Sequence, residues 1–564
     1  MSAIELSPAW LLLFGAGVAP FLRGRARSAW VVAVPLGGMI QLALLPAGEF
    51  GQVEFLGEQL LLLRVDRWSI LFAFVFLIAA LVSAIYSLHV RDRLEPAAGL
   101  AYAGAAIGAV LAGDLMTLFA FWELTAVTSV FLIWARRTDR AYRAGMRYIV
   151  IQLASGMLLL FGALQQLAAT GSLRFDHLGL DAPGGLAIFV AFGIKCAFPL
   201  LHNWLQDAYP EATESGTVFL SAFTTKLAVY ALARGYAGTD SLVWIGAVMT
   251  AFPIFYAVIE NDLRRVLAYS LNNQLGFMVV GIGIGTELAL NGTAAHAFSH
   301  ILYKALLFMS MGAVLYRVGT VDGTELGGLY KSMPWTTGFC IVGAASISAF
   351  PLFSGFVSKS MILAAAGAEG LAITWLVLMF ASAGVFHHSG IKIPYFAFFA
   401  HDSGKRCAEA PANMLVAMAV TAGLCIGIGV YPAPLYALLP FPVDYVPYTG
   451  GHVLAQLQLL AFSALAFSVL MRTGIYPPEL RAVNLDSDWL YRGPAVAVTA
   501  AFASALGVVL AAGSRLTGRT IAALVAVCYR LAGEDGLMAR TRPTGAIALW
   551  MAVLLGAYLV VYYL

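Results

Sequence analysis

The chain has 564 residues, 61% of them hydrophobic and only 11% charged, with a formal net charge of +3. A soluble domain carries roughly 25% charged residues, so there is too little polar surface here to cover a water-soluble globule. So small a charge for this length also argues against a nucleic-acid partner.

Apolar runs recur almost from end to end, each long enough to cross a hydrocarbon core of about 30 Å. The first predicted span, 8–22, has neither a basic leader nor a small-residue cleavage site and reads as a retained helix. Further spans are predicted at 28–47, 67–90, 97–113, 115–134, 144–169, 184–208, 213–235, 241–258, 263–284, 290–316, 335–365, 370–400, 411–431 and 453–471, with a last one at 545–564. The region 485–540 is ambiguous. Its 493–512 segment can span, while 514–535 mixes Arg515, Arg519 and Arg530 with apolar residues and suits the interface, or both form one long surface helix.

Basic residues concentrate on alternate loops: Arg23, Arg25 and Arg27, then Arg91 and Arg93, then Arg136 to Arg147, then Arg264 and Arg265, then Lys405 and Arg406. The intervening loops, such as 48–58 and 170–183, are acidic or nearly neutral. The positive-inside rule then puts the N-terminus outside. The five cysteines are scattered with no CxxC pair, so no cluster, structural zinc or disulfide framework is indicated.

Two spans are interrupted by proline, at Lys195-Cys196-Ala197-Phe198-Pro199 and at Phe350-Pro351-Leu352-Phe353-Ser354-Gly355. Broken helices at membrane depth survive only where protein or water satisfies the freed backbone. Each break falls in the fourth of five helices if spans four to eight and nine to thirteen are repeats, the signature of an inverted-repeat transporter.

A charge at the centre of a span costs about 2.5–3.5 kcal/mol, so the ones present point to function. They are Glu123, Lys195, Lys226, His296, His300, Lys304, Lys359 and Lys392. The spacing of His296, His300 and Lys304 puts all three on one helix face, neighbours about 6 Å apart along the axis. Histidine titrates near neutrality and a desolvated lysine can be shifted toward it, so such a face can hand a proton along. The rival is a set of satisfied polar residues gluing helices together. Metal binding is a third option, but no carboxylate or cysteine completes a site. Glu123 paired with Lys195 makes a switch, since separating the pair loosens the lysine proton; the alternative is a static ion pair. Lys226 and Lys359 extend the line, and Lys392 either joins it or snorkels to the interface. Gly281 to Thr286 fails the GxGxxG pattern, and Gly355 to Ser360 lacks the glycines of a P-loop. The acidic loop Asp207 to Glu214 can gather cations or is simply solvated.

Phe121-Trp122-Glu123-Leu124, Lys195 to Pro199 with His202 to Ala208, and Ser299 to Phe308 resemble the antiporter-like subunits of respiratory complex I, membrane hydrogenases and Mrp-type cation/proton antiporters. Ser354 to Lys359 looks like the second broken helix of that family, with lysine where some relatives carry glutamate. The match covers roughly residues 65–430. Phe386 to Phe396 and Asn484 to Arg492 look most like the D-type member of the Mrp systems.

The resemblance implies an all-α polytopic membrane protein with about fourteen core helices and two inverted five-helix repeats. The implied division is N-terminal helices 1–95, a first half-channel 96–238, a second 239–402, core helices 403–475 and an extension 476–564. By position, Glu123 and Lys195 become the ion pair of the first half-channel and Lys226 the bridge. His296, His300 and Lys304 become the central relay, and Lys359 ends the second half-channel. The implied activity is that of a secondary transporter subunit, not an enzyme. It conducts protons against Na+ among other antiporter subunits in a bacterial inner membrane, without a cofactor. The alternatives are a pumping subunit of a complex I-like oxidoreductase or membrane hydrogenase, and a subunit for inorganic-carbon uptake.

Overall fold

A computed structural model of the chain describes residues 6–55, 57–477, 479–482, 484–536, 540 and 543–563. The predicted last span, 545–564, ends one residue outside that set. The protein is an all-α polytopic membrane protein, with one β-hairpin among the described residues. Its helices are α1 Pro8–Val18, α2 Gly24–Leu44, α3 Arg67–Tyr86, α4 Leu94–Val110, α5 Leu115–Trp134, α6 Asp139–Thr170, α7 Gly185–Cys196 and α8 Asn203–Ala208. Then come α9 Gly216–Ala222, α10 Thr224–Gly235, α11 Asp240–Ile259, α12 Leu263–Ile284, α13 Glu287–Val318, α14 Pro334–Ile347, α15 Ser354–Ala368 and α16 Ala372–Val385. The last are α17 Lys392–Pro394, α18 Ala412–Val430, α19 Ala433–Ala437, α20 Gly450–Thr473, α21 Trp489–Arg492, α22 Pro494–Ala532 and α23 Thr544–Tyr563.

Twelve helices among the described residues are long and apolar enough to cross a membrane. Helix α6 shows what solvent they face. Gly145, Tyr148, Gln152, Ser155 and Gly156 point inward, while Val150, Met157, Phe161 and Leu164 are exposed. Small and polar residues inside with apolar ones outside is the reverse of a soluble helix and suits a hydrocarbon surround. Helix α13 has no such outward face. From Ala289 to Val314 it is buried throughout, so it runs through the interior of the bundle.

The predicted acidic loop at 48–58 is instead half of an antiparallel hairpin, β1 Gly48–Phe55 with β2 Glu58–Val65. Gly57 at its turn has φ +85, which a residue with a Cβ adopts only at a cost. The strand pair docks through backbone bonds from Arg64 N–H to Leu111 and from Gly113 N–H to Leu61, at 2.7 and 3.0 Å.

Two successive groups of five spans repeat the same local devices. Asp114 caps α5 and Asp262 caps α12, each accepting from the backbone of the first turn. Helices α6 and α13 are both 32 residues long, both begin after a threonine (Thr138, Thr286), and both stop at a left-handed glycine, Gly171 and Gly319. The caps also pair in the same way, Asp114 with Arg174 and Asp262 with Asp322.

The two breaks match residue for residue. Ala197-Phe198-Pro199-Leu200 and Ala349-Phe350-Pro351-Leu352 are the same tetrapeptide, with left-handed backbone at both Ala (φ 61 and 56) and both Leu (φ 70 and 74). Ala197 N–H bonds Ile194 and Phe198 N–H bonds Gly193; Ala349 N–H bonds Ser346 and Phe350 N–H bonds Ala345. Each is a Schellman stop with proline after it. Hydropathy and break position alone suggested a repeat in the sequence; at these four positions it is also one of residue identity.

The chain forms two compact units, which divide between Asn484 and Leu485. The predicted extension boundary at 476 falls earlier, because Tyr476 packs on Phe396 and Phe467 within the larger unit. In the smaller unit the ambiguous region is one continuous helix, α22, of 39 residues. Its length of about 58 Å is roughly twice a hydrocarbon core.

Candidate functional site

The ionisable residues singled out from the sequence gather along the interior of the larger unit. Lys195, Lys226, His296, His300, Lys304, Lys359 and Lys392 are at most 1% exposed. Several ammonium groups sharing one low-dielectric core repel one another, so each added charge costs more than the last.

At the first break, Lys195 is the penultimate residue of α7, where the negative end of the helix favours a cation. Its Nζ donates to the Trp122 carbonyl at 2.5 Å and to Thr125 Oγ1 at 2.9 Å, and lies 4.4 Å from the Trp122 ring centroid. Glu123, on the same α5 turn, is within electrostatic reach of Lys195 but makes no ion pair with it in this structure; its Oε1 is buried and unpartnered. Gly156 makes the room, since a Cβ there would lie 1.2 Å from Glu123 Oε1.

Lys226 sits just after the joint at Phe223 that separates α9 from α10. Its Nζ donates to the Ser221 carbonyl at 2.6 Å and to Thr225 Oγ1 at 3.2 Å. It lies within electrostatic reach of Cys196 on one side and of His300 and Lys304 on the other.

Helix α13 supplies the centre. The His296 ring bonds Ser358 Oγ and Gln274 Oε1, both at 3.2 Å, and Tyr303 donates to the same Gln274 oxygen at 3.1 Å. The His300 ring lies 6.2 Å from His296 and 5.2 Å from Tyr303, with both nitrogens buried and unpartnered. Lys304 donates to Ser270 Oγ at 2.9 Å and to the Leu267 carbonyl at 3.3 Å. Lys359, after the second break, donates to the Ile347 carbonyl at 3.1 Å. Aligned on the shared tetrapeptide, Ile347 is the counterpart of Lys195, so the second ammonium reaches from another turn to the position that carries the first.

Lys392 does not snorkel to the surface. It is enclosed, donates to the carbonyls of Ala257, Val258 and Glu260 at the end of α11, and meets Glu479 at 2.9 Å. The acidic loop Asp207 to Glu214 is not freely solvated either: Arg147 binds Asp207, Arg140 binds Glu211, and Arg264 collects the carbonyls of Pro210, Ala212 and Thr213.

Sequence reasoning missed Gln274, Ser270, Ser358 and Tyr303, which bond the relay, and Gly156, which admits Glu123. The polar run Asn272-Asn273-Gln274 inside a predicted span was the available signal. These side chains are of the kinds that can hold and pass protons.

The fold and site define a polytopic helical membrane protein with two broken helices and a buried line of titratable groups. Residues 112–386 match the family described as NADH:quinone oxidoreductase/Mrp antiporter, TM. Hydrogenase-4 component B of Escherichia coli is 28% identical over 415 residues, which are 65% of this chain and 62% of that protein. The D-type member of the Na(+)/H(+) antiporter of Alkalihalophilus pseudofirmus is 32% identical over 313 residues, 52% of this chain and 63% of that one. The chain thus spans under two thirds of these curated relatives. Among solved structures, a chain of the membrane-bound sulfane sulfur reductase, an archaeal respiratory membrane complex, aligns with TM-score 0.71 at 22% identity, covering 98% of this chain and 99% of its own. That likeness shows a shared fold.

Proposed function

We propose that this chain is the proton-conducting subunit of a multisubunit monovalent cation (Na+)/proton antiporter in a bacterial inner membrane, with its N-terminus outside. What supports this reading is that Lys195, Lys226, His296, His300, Lys304 and Lys359 are all buried in one helical unit, with Glu123 near Lys195 and two breaks of the same sequence and backbone. Two five-span halves, 96–238 and 239–402, then act as inverted half-channels, because an odd number of crossings reverses the second half. Lys195 is the switch. When Glu123 closes on it the ammonium is stabilised, and when they part its proton moves toward Lys226. Partner subunits supply the cation path.

The second reading, a pumping subunit coupled to electron transfer in other subunits, is favoured by the hydrogenase relative and by the respiratory complex with the shared fold. The test is sodium-dependent pH change in everted vesicles lacking native antiporters, with Lys195→Ala expected to be silent although the complex assembles. Wild-type rates in that variant remove the switch. A complex that moves protons only when given an electron donor favours the second reading.

A further inference from the structure

A second hydrogen-bonded arm leaves the relay at Lys304, apart from the line that runs from Glu123 to Lys359. Lys304 Nζ bonds Ser270 Oγ at 2.9 Å, Ser270 Oγ bonds Ser389 Oγ at 2.7 Å, and Ser389 Oγ bonds His388 Nδ1 at 2.9 Å. All four side chains are fully buried. The segment that carries His388 is π-helical over Phe386–Ile391 and again over Tyr395–Phe399. Such wide turns are rare and cluster at functional sites. Gly390 lets this segment press on α14, since a Cβ there would meet Ser348 Oγ at 2.3 Å.

Beyond His388 the arm meets a second cluster. His387 stacks on Tyr476 with ring centroids 5.5 Å apart, and the Lys392 backbone N–H bonds the His387 carbonyl. Lys392 meets Glu479. His387 Nε2, His388 Nε2 and Tyr476 Oη are buried without a hydrogen-bond partner, beside the Glu479 carboxylate that Lys392 holds. Unpaired polar atoms in such number are costly in a merely structural core. Of these residues Tyr476 and Glu479 line a pocket of about 280 Å³, together with Thr324 and His401, and His387 lies behind Tyr476. His401 is exposed, so the pocket reaches the surface at the end of the bundle that carries the basic loops.

We infer that His388, Ser389, Ser270 and the Lys392–Glu479 pair form a proton-exchange arm joining the central lysine Lys304 to this pocket. The inference rests on the reading of the chain as a proton conductor. The step balances by a shift along the chain of hydroxyls. An imidazolium at His388 gives its Nδ1 proton to Ser389, Ser389 gives its own to Ser270, and Ser270 gives its own to a neutral Lys304 amine. Charge leaves His388 and appears on Lys304, and no oxidant or other co-reactant is needed. Glu479 is the surface-side carboxylate that exchanges protons with the pocket, and Lys392 is the positioning residue that holds it.

The test uses the whole complex in everted vesicles. His388→Gln and Glu479→Gln are each expected to slow proton movement at least tenfold with the complex at normal abundance, and Glu479→Asp to restore it with a displaced pH profile. The double variant Lys392→Met with Glu479→Leu removes both charges and keeps the packing. It should be inactive, and if it transports normally the pair is only structural and the arm is overturned. If Lys195→Ala is silent while His388→Gln and Glu479→Gln run at wild-type rate, the arm falls and proton conduction stands. If Lys195→Ala itself runs at wild-type rate, both fall.

Discussion

Adding one methyl group at Gly156 tests the placement of Glu123 without touching any charge. A Cβ at that position would sit 1.2 Å from Glu123 Oε1 and 2.4 Å from its carboxyl carbon. Ordinary contact needs about 3.4 Å, so the oxygen must retreat by about 2 Å. The atoms met are the far end of a flexible side chain and not backbone, so Gly156→Ala should alter stability by about 1 kcal/mol at most. The chemistry is less forgiving, because a misplacement of about 1 Å can cost on the order of 100-fold in rate. Initial rates of sodium-dependent alkalinisation in everted vesicles, normalised to complex abundance by immunoblot, should therefore fall between about tenfold and 100-fold. Gly156→Ala at the wild-type rate would refute the claim that the carboxylate must occupy this niche beside α6.

Three further outcomes follow from the same geometry. His300→Leu replaces a ring with two unpartnered buried nitrogens by an apolar group, so the melting temperature should hold or rise while transport is lost; a fall in abundance instead would make the ring a helix glue. Arg264→Met leaves the carbonyls of Pro210, Ala212 and Thr213 without their donor, at about 1–3 kcal/mol each, and should remove the protein from the membrane fraction. Burial pushes the Asp66 carboxyl up, but Arg234, the Ser69 N–H and Arg64 overcome this and hold it below the ordinary range. Its contribution is therefore complete above about pH 4, the unfolded value, and is lost as pH falls through the depressed folded value. Asp66→Asn should make thermal stability in detergent flatter over the acid range than in wild type.

The spans were legible because hydropathy needs only composition over about 20 residues. Fifteen predicted spans coincide with α1 to α20 taken with their joints, and the buried basic residues fell where charge interrupts apolar runs. Local pairing was less visible. The hairpin at β1 and β2 was hidden because acidic residues in its loop outweighed the alternation of Leu61, Leu63 and Val65. Glu479 lies outside every predicted span, so nothing in the sequence marked it as the partner of Lys392. Gln274 does not titrate and escaped a search for charge. The closeness of Lys195 to the Trp122 carbonyl, and not to the Glu123 carboxylate, is a matter of rotamers and is not written in spacing.

The left-handed alanine and leucine in each copy of Ala-Phe-Pro-Leu carry a further consequence. A side chain in that region costs roughly 1–2 kcal/mol per residue, and glycine would remove most of the cost. Four such residues are retained, two before α13 in the chain and two after it, and the local backbone bonds of each stop offset part of that cost. Glycine at any one of the four is thus expected to raise stability, a gain the sequence forgoes at both joints.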